Sequence, residues 1–375
     1  MKEKRLVQPP MPLSPTNDPW DPIHSLQKYG KHVLTSVEMT VTNLCNMRCE
    51  HCAVGDVLVL KEEAPIPLAD MIRRLDEVEH LDTISITGGE PSYREQTVKD
   101  YIVPLLKYAK ARGVKSQINS NVTLPLSRYE MMAPYLDVMH ISFNYVNEDD
   151  FWQVCFANAN HPIGRDTAIQ MYERMVENIV ALSKGGMFVS AESMINYRTY
   201  TKLPTIHRLI SEMGCSRHEV HPMYPSAFAA HLPTLSLAAM RSSIHQLLDA
   251  RNQELWMLFG TLPFYSCNEE PADQALIRRL RNEPNVTVRN DPDGRNRLNV
   301  NLFTGEVFVT DFADFPALGN TAKDRLDDVF SKWTQHALNL SVSCHCPQAS
   351  CCGPNLLVAN SYYKDVDFTK RKAII

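Results

Sequence analysis

Three cysteines fall in one eight-residue window: Cys45, Cys49 and Cys52, in the run V-T-N-L-C-N-M-R-C-E-H-C of residues 41–52. With ten cysteines in 375 residues, a given three-cysteine spacing arises by chance in roughly 0.007 places. Three thiolates are soft ligands suited to zinc or to an iron–sulfur cluster. Three is one short of a closed site, because structural zinc takes four ligands and a cubane cluster four thiolates. The pattern therefore predicts a metal centre with one position left open for another molecule. A structural zinc site completed by His51 or another residue is the competing reading of the same residues.

A second window, C-H-C-P-Q-A-S-C-C-G-P-N at 344–355, carries Cys344, Cys346 and Cys351 as C-x-C-x4-C, with Cys352 adjacent. Neighbouring residues rarely both reach one small cluster without strain, so Cys267 and Asp311 compete with Cys352 as the fourth ligand. A zinc knot completed by His345 or Cys267 is the alternative. Clusters of this kind in a reducing compartment read as metal or catalytic sites, since disulfides do not persist there. The isolated Cys155, Cys215 and Cys267 read instead as small buried hydrophobes.

The elements that must hold these residues alternate. A β-rich run at Val37–Asn43 leads directly into the first cysteine window, and strand-like runs recur at Thr83–Thr87, Lys115–Asn119, Val138–Phe143, Phe188–Ile195 and Glu219–Met223. Helical spacing intervenes at Leu68–His80, Val98–Arg112, Leu126–Ala133, Thr167–Lys184 and Leu203–Met213. Six strands separated by helices imply parallel βαβ units with right-handed crossovers, in an open sheet or a partly closed barrel. The cysteines then lie at the C-terminal strand edge, where parallel α/β folds place their chemistry. Beyond Pro225 the pattern changes to helices at Leu235–Phe259 and Ala272–Arg281. A hairpin follows, Arg297–Phe303 and Glu306–Thr310 about a Thr304–Gly305 turn, and then a helix at Leu326–Leu338. The division expected is a Pro-rich irregular arm at 1–34, a core at 35–230, a helical linker at 231–285 and a small α+β cysteine-rich domain at 286–375.

Composition narrows the function. Thirty-eight Lys and Arg against 43 Asp and Glu give a net charge of −5, with no concentration of cations to displace counterions from nucleic acid. No run of about 18 apolar residues is present to span a membrane, and no apolar segment backs the N-terminal charges as in a secretory signal. A cytoplasmic protein without nucleic-acid or membrane partners is expected.

The first window resembles the signature of the radical S-adenosylmethionine (SAM) superfamily, C-x3-C-x2-C after the first strand of a partial parallel (β/α)6 barrel. Thr87-Gly88-Gly89-Glu90-Pro91 at the end of the second strand matches that family's GGEP motif. The resemblance implies that Cys45, Cys49 and Cys52 hold a [4Fe–4S] cluster whose fourth iron is chelated by SAM. It implies that Gly88, Gly89, Glu90 and Pro91 line the SAM site, with Glu90 accepting from the SAM ammonium. Asn121, Ser142 and Asn144, at later strand ends, join them as cofactor-binding candidates, whereas Glu192, Asn196 and His221 read as satisfied polar groups inside a barrel. Relatives usually carry an aromatic residue where this chain has His51.

The C-terminal order, with Gly305–Thr310, Leu318-Gly319-Asn320, a helix and clustered cysteines, resembles the SPASM or shorter twitch auxiliary-cluster domains. Thr310 stands where those hairpins carry a cysteine, so one auxiliary iron–sulfur cluster at most is implied, on Cys344, Cys346 and Cys351. From roughly residue 35 to 355 the chain most resembles the YfkAB-like radical SAM proteins, named for a C-terminal C-x-C-x4-C motif. The activity implied is reductive cleavage of SAM to a 5′-deoxyadenosyl radical that abstracts hydrogen from a peptide or protein, with a flavodoxin- or ferredoxin-type reductant. A small-molecule substrate and a non-catalytic iron–sulfur scaffold are the alternatives.

Overall fold

Parallel strands with apolar runs on one face, spaced by amphipathic helices, assemble here into a single mixed sheet. The computed structural model describes residues 12–159, 161–223, 226–264, 270–289, 294–310 and 315–342. In chain order the elements are α1 (Pro22–Tyr29), β1 (Ser36–Thr40), α2 (Leu68–Asp76), β2 (Thr83–Thr87), α3 (Glu95–Thr97), α4 (Val103–Arg112) and β3 (Lys115–Ser120). They continue with α5 (Leu126–Met132), β4 (Val138–Ser142), α6 (Glu148–Cys155), α7 (Arg165–Lys184), β5 (Phe188–Ile195), α8 (Leu203–Glu212) and β6 (Arg217–Pro222). Next come α9 (Leu237–Ala250), β7 (Trp256–Gly260), α10 (Pro271–Asn282), β8 (Val286–Arg289), β9 (Arg297–Asn301), β10 (Glu306–Phe308), β11 (Gly319–Asn320), α11 (Leu326–Thr334) and α12 (Ala337–Val342).

The sheet has eleven strands in the order β11-β10-β9-β1-β2-β3-β4-β5-β6-β7-β8. Strands β1 to β8 run parallel in chain order, and β9 lies parallel to β1 on its other side. Side chains alternate across the sheet. Val37, Met39, Ile84, Ile86, Ile118, Met139, Ile141, Val189, Ala191 and Val220 form the apolar face and belong to the buried core with the helices. Each Val, Ile or Met among them, fully buried, stabilises the fold by about 1.5–3 kcal/mol. The opposite face carries Ser85, His140, Ser190, Glu192, Arg217, Glu219 and His221, so the interior side of the sheet is polar.

Several expectations are corrected. The arm is not wholly irregular: α1 forms because Pro22 sits in the first turn, where no amide donor is needed, and Asp21 caps Ile23 N at 3.0 Å. Ahead of it Trp20 is buried and donates to Ser85 Oγ on β2 at 3.2 Å. The helix expected over Leu235–Phe259 ends at Ala250, and Trp256–Gly260 is strand β7, buried along its whole length. A short apolar run such as Trp-Met-Leu-Phe fits a buried strand as well as a helix, and periodicity does not separate the two. The stretch 231–285, expected as a helical linker, thus adds β7 to the sheet, with β8 just beyond it. The 297–310 hairpin is present with Gly305 at φ 71°, but its first strand pairs with β1 and so extends the core sheet. The helix expected over Leu326–Leu338 is broken into α11 and α12. No described helix is long and apolar enough to cross a membrane.

Candidate active site

The loop that follows β1 carries Cys45, Cys49 and Cys52, all half-buried free thiols. Its path is fixed by backbone and side-chain bonds rather than by regular structure. Glu62 holds the entrance, accepting from Thr42 Oγ1 at 2.8 Å and Asn43 N at 2.8 Å. Arg48 N and Glu50 N donate to the carbonyls of Cys155 and Val154 at the end of α6, at 2.9 and 3.0 Å. Arg48 folds back on the carbonyls of Cys45 and Met47, and Asn158 Nδ2 reaches that of Cys49.

The glycines of β2's exit seat this loop. Gly89 N donates to Thr42 O at 2.8 Å and Glu90 N to Leu44 O at 2.7 Å. A Cβ on Gly88 (φ +146°) would stand 2.2 Å from Thr42 O, and one on Gly89 2.3 Å from Leu44 O. Only glycine lets the two backbones close to this distance. What these glycines approach is the cysteine loop itself.

Glu90 is 0 % exposed. Its Oε1 accepts from Ser92 N, Ser92 Oγ and Ser120 Oγ, and Oε2 accepts from Asn121 N at 2.7 Å. Burial raises its carboxyl above the usual range, although those donors oppose the shift. Oε2 carries a single donor and keeps a lone pair, so the contact with a SAM ammonium expected from the sequence is compatible with these bonds. As found, it fastens the end of β2 to the end of β3. Pro91 beside it is buried.

Asn121 is brought to the cysteine loop: its Nδ2 donates to Asn46 Oδ1 at 2.9 Å, and Asn46 Nδ2 donates to Thr123 Oγ1 at 2.8 Å. Asn144 is buried, with Oδ1 accepting from Met194 N at 2.7 Å, so it ties β4 to β5. Ser142 is exposed at the end of β4, in register with Glu192. Cys344, Cys346, Cys351, Cys352, Cys267 and Asp311 lie outside the described residues; Thr310, at the hairpin's cysteine position, is buried.

Of the other participants, Glu50 carries no sequence signal, Cys155 reads only as a small buried hydrophobe, and His51 reads as a possible zinc ligand. Cys155 is fully buried, with its thiol against Cys49 and 2.9 Å from Tyr145 Oη. Glu50, also buried, is gripped by Arg198 and accepts from Tyr197 Oη at 3.1 Å. His51 is 8 % exposed and its Nδ1 has no hydrogen-bond partner. Burial lowers its pKa to about 4.

The donor set fits a cluster. Burial, and then the charge of Cys49, push the Cys45 thiol upward and that of Cys52 up to about 12, while contact with Cys155 and burial push Cys49 the same way. Three thiols this crowded and desolvated ionise only against a compensating cation. Among the described residues no three His, Cys, Asp or Glu side chains close on a single ion. A tetrahedral zinc would draw its sulfurs to about 4 Å of one another through ~2.3 Å bonds. A multi-iron cluster spreads its anchors more widely.

Comparison with known proteins agrees with this geometry. The radical SAM superfamily model matches residues 39–202, which defines the class. A YfkB-like domain model matches residues 223–373. The chain is 53% identical over 363 residues to YfkA of Bacillus subtilis (strain 168), covering 96% of this chain and 97% of that protein. It belongs to the YfkAB-like radical SAM proteins. Among solved structures, Streptococcus suis SuiB bound to the precursor peptide SuiA has the same fold, with TM-score 0.61 at 15% identity over 88% of this chain and 74% of SuiB. So has anSMEcpe with bound AdoMet and the Cp18Cys peptide, at TM-score 0.55 and 13% identity over 90% and 96% of the two chains.

Proposed function

We propose that the chain is a radical SAM enzyme in which Cys45, Cys49 and Cys52 hold a [4Fe–4S] cluster and the surrounding strand ends bind SAM. The observation that carries this reading is the seating of the cysteine loop on Gly88 and Gly89, which joins the two motifs in one site. The cluster, when bound with SAM, supplies the electron that cleaves it to methionine and a 5′-deoxyadenosyl radical, which takes hydrogen from the substrate. The protein's own residues hold the loop, through Glu62, Arg48 and the Asn46–Asn121 pair, and brace it through the Glu50–Arg198 ion pair. Glu90 keeps Ser92, Ser120 and Asn121 in place beside the loop. Gly88, Gly89, Pro91, Ser142 and Asn144 complete the proposed SAM wall.

A peptide or protein substrate is favoured, because two neighbours in fold are solved with peptides bound. A flavodoxin- or ferredoxin-type reductant, and an auxiliary cluster on Cys344, Cys346 and Cys351, belong to the same proposal.

The test is 5′-deoxyadenosine formation by anaerobically reconstituted, dithionite-reduced protein given SAM, beside a Cys45→Ala/Cys49→Ala/Cys52→Ala control and a Glu90→Ala variant. Product from the wild type alone supports the reading, with SAM binding lost in Glu90→Ala. An iron-loaded wild type that binds no SAM favours the scaffold alternative.

A further inference from the structure

On the polar face of the sheet, next to the cysteine loop, four charged or imidazole side chains converge from three strands. Glu192 on β5 lies between Ser142 on β4 and Glu219 on β6 in register. His140 Nε2 is 2.6 Å from Glu192 Oε2, and its Nδ1, buried and without a hydrogen-bond partner, lies 3.9 Å from Glu219 Oε2. His221 Nε2 is 2.7 Å from Glu219 Oε1, and its Nδ1 is 3.2 Å from Thr261 Oγ1. Gly260 makes room for this ring, since a Cβ there would stand 1.9 Å from His221 Cε1.

The charges of this layer do not balance evenly. Asp18 and Glu219 are shared by two guanidiniums: Arg217 lies 3.3 Å from Asp18 and 2.9 Å from Glu219, and Arg289 pairs with both. Two carboxylates thus meet two fixed cations. Glu192 stands outside that exchange: among the described residues its close side-chain partner is the His140 ring. It is also the open member of the set, with 30 % of its side chain exposed against 2 % for Glu219. Burial works to raise its carboxyl, but the His140 bond prevails and holds it below the usual range, so it is ionised at neutral pH. Its field reaches His51, between two of the cysteines, whose buried Nδ1 is also without a partner.

We propose that Glu192, held in place by His140, binds a positively charged group of the substrate, a primary ammonium or a guanidinium, and so fixes the substrate beside the cysteine loop. The inference rests on the radical SAM reading for its view of what lies at that loop. A carboxylate braced by one imidazole and still 30 % exposed is the complement of an N–H cation, and its partly buried setting strengthens the pair relative to water. Peptide side chains and free amines share this chemistry.

The test uses iron-reconstituted full-length protein with saturating SAM and isothermal titration of five probes. These are Ac-Gly-Lys-Gly-NH2, Ac-Gly-Arg-Gly-NH2, the neutral norleucine peptide, the acidic glutamate peptide, and agmatine as a free small cation. The cationic probes should bind at least about tenfold tighter than norleucine, and the glutamate peptide should not bind. Peptides well ahead of agmatine would place the cation on a peptide, and the reverse on a small molecule. In Glu192→Gln the preference should shrink to under threefold, and Glu192→Asp should restore part of it, at unchanged iron content. Equal binding of lysine and norleucine peptides by the wild type overturns the proposal, as does no binding by any cation. Loss of SAM affinity in Glu192→Gln with the peptide preference intact also overturns it. A wild type that cleaves SAM but ignores charge refutes this site alone; one that selects cations without ever cleaving SAM refutes the enzyme reading alone.

Discussion

The phenol of Tyr145 lies 2.9 Å from the thiol of Cys155, and that thiol in turn touches Cys49 of the cysteine loop. Both residues are buried. The loop is therefore backed by a polar pair inside the core, where each group is the other's partner. Cys155→Ala should leave the Tyr145 hydroxyl unsatisfied and lower unfolding free energy by about 1–3 kcal/mol. Adding Tyr145→Phe should cost less than the sum, with a coupling of about 0.5–1.5 kcal/mol in urea unfolding of the iron-free protein. Strict additivity of the two substitutions would show that the contact contributes nothing.

Cys155 also shows how far the sequence is readable. Nothing near it in the chain marks it, and an isolated cysteine reads as a small buried hydrophobe. It is indeed buried, but the fold brings α6 against the loop after β1, and that pairing is long-range. The close backbone approach at Gly88-Gly89 was legible because it is local, written in consecutive residues, as is the Cys45–Cys52 spacing that proposes a metal site. The first six strands were legible for the same reason, as alternation bounded by helices. Strand β7 was not, because Trp256–Phe259 is apolar on both faces and has no period to read. Glu192 was read as a satisfied interior group. Its exposure and its separation from the Arg217–Arg289 pair depend on which strands lie side by side.

Gly88 and Gly89 should tolerate no side chain. Gly88→Ala combines a left-handed backbone, φ +146°, with a contact of 2.2 Å to Thr42 O, and backbone atoms cannot move aside as a side chain tip can. Overpacking of this kind costs about 1–3 kcal/mol, and here it displaces the cysteine loop as well. Reconstituted Gly88→Ala should retain several-fold less iron than wild type. Gly186→Ala is the control: φ is +84° but nothing lies within 4 Å, so only the backbone cost of about 1–2 kcal/mol applies, with iron content unchanged. Equal iron retention in the two variants would refute the seating role.

A buried histidine pair should make the fold acid-sensitive. His207 Nε2 accepts from Asn252 N at 3.0 Å, so its proton sits on Nδ1, 2.9 Å from His218 Nδ1; His218 then donates from Nε2 to Ser193 Oγ at 3.0 Å. Burial, aided by Arg251, lowers the pKa of His207 to about 4, and burial beside His207 takes His218 well below its ordinary value. An unfolded imidazole takes up its proton near 6.5, so the unfolded chain gains protons first as pH falls from neutrality. Stability is therefore lost progressively below pH 6.5, and the loss from His207 levels off only below about pH 4. His207 alone should account for about 2 kcal/mol by pH 5. Urea unfolding of iron-free protein at pH 7.5 and 5 should show a smaller fall in His207→Asn than in wild type. Parallel falls would assign the acid sensitivity to other groups.

Asp18 should prove one of two costly residues in the N-terminal segment. Its carboxylate lies between Arg217, 2 % exposed, and Arg289, while Trp20 two residues on is bonded to Ser85 across the same face of the sheet. Removing one member of a buried charge network strands its partners, and the cost is about 3–5 kcal/mol. Asp18→Asn keeps the volume but removes the charge, leaving Glu219 as the carboxylate that Arg217 and Arg289 still share. The unfolding free energy should fall by that amount at pH 7. Trp20→Ala should cost a similar ~3–5 kcal/mol through lost burial. The two costs should not add, since both hold the same segment against the same face. An Asp18→Asn protein within 1 kcal/mol of wild type would mean that the arginines find solvent, and that the segment lies on the sheet without closing it.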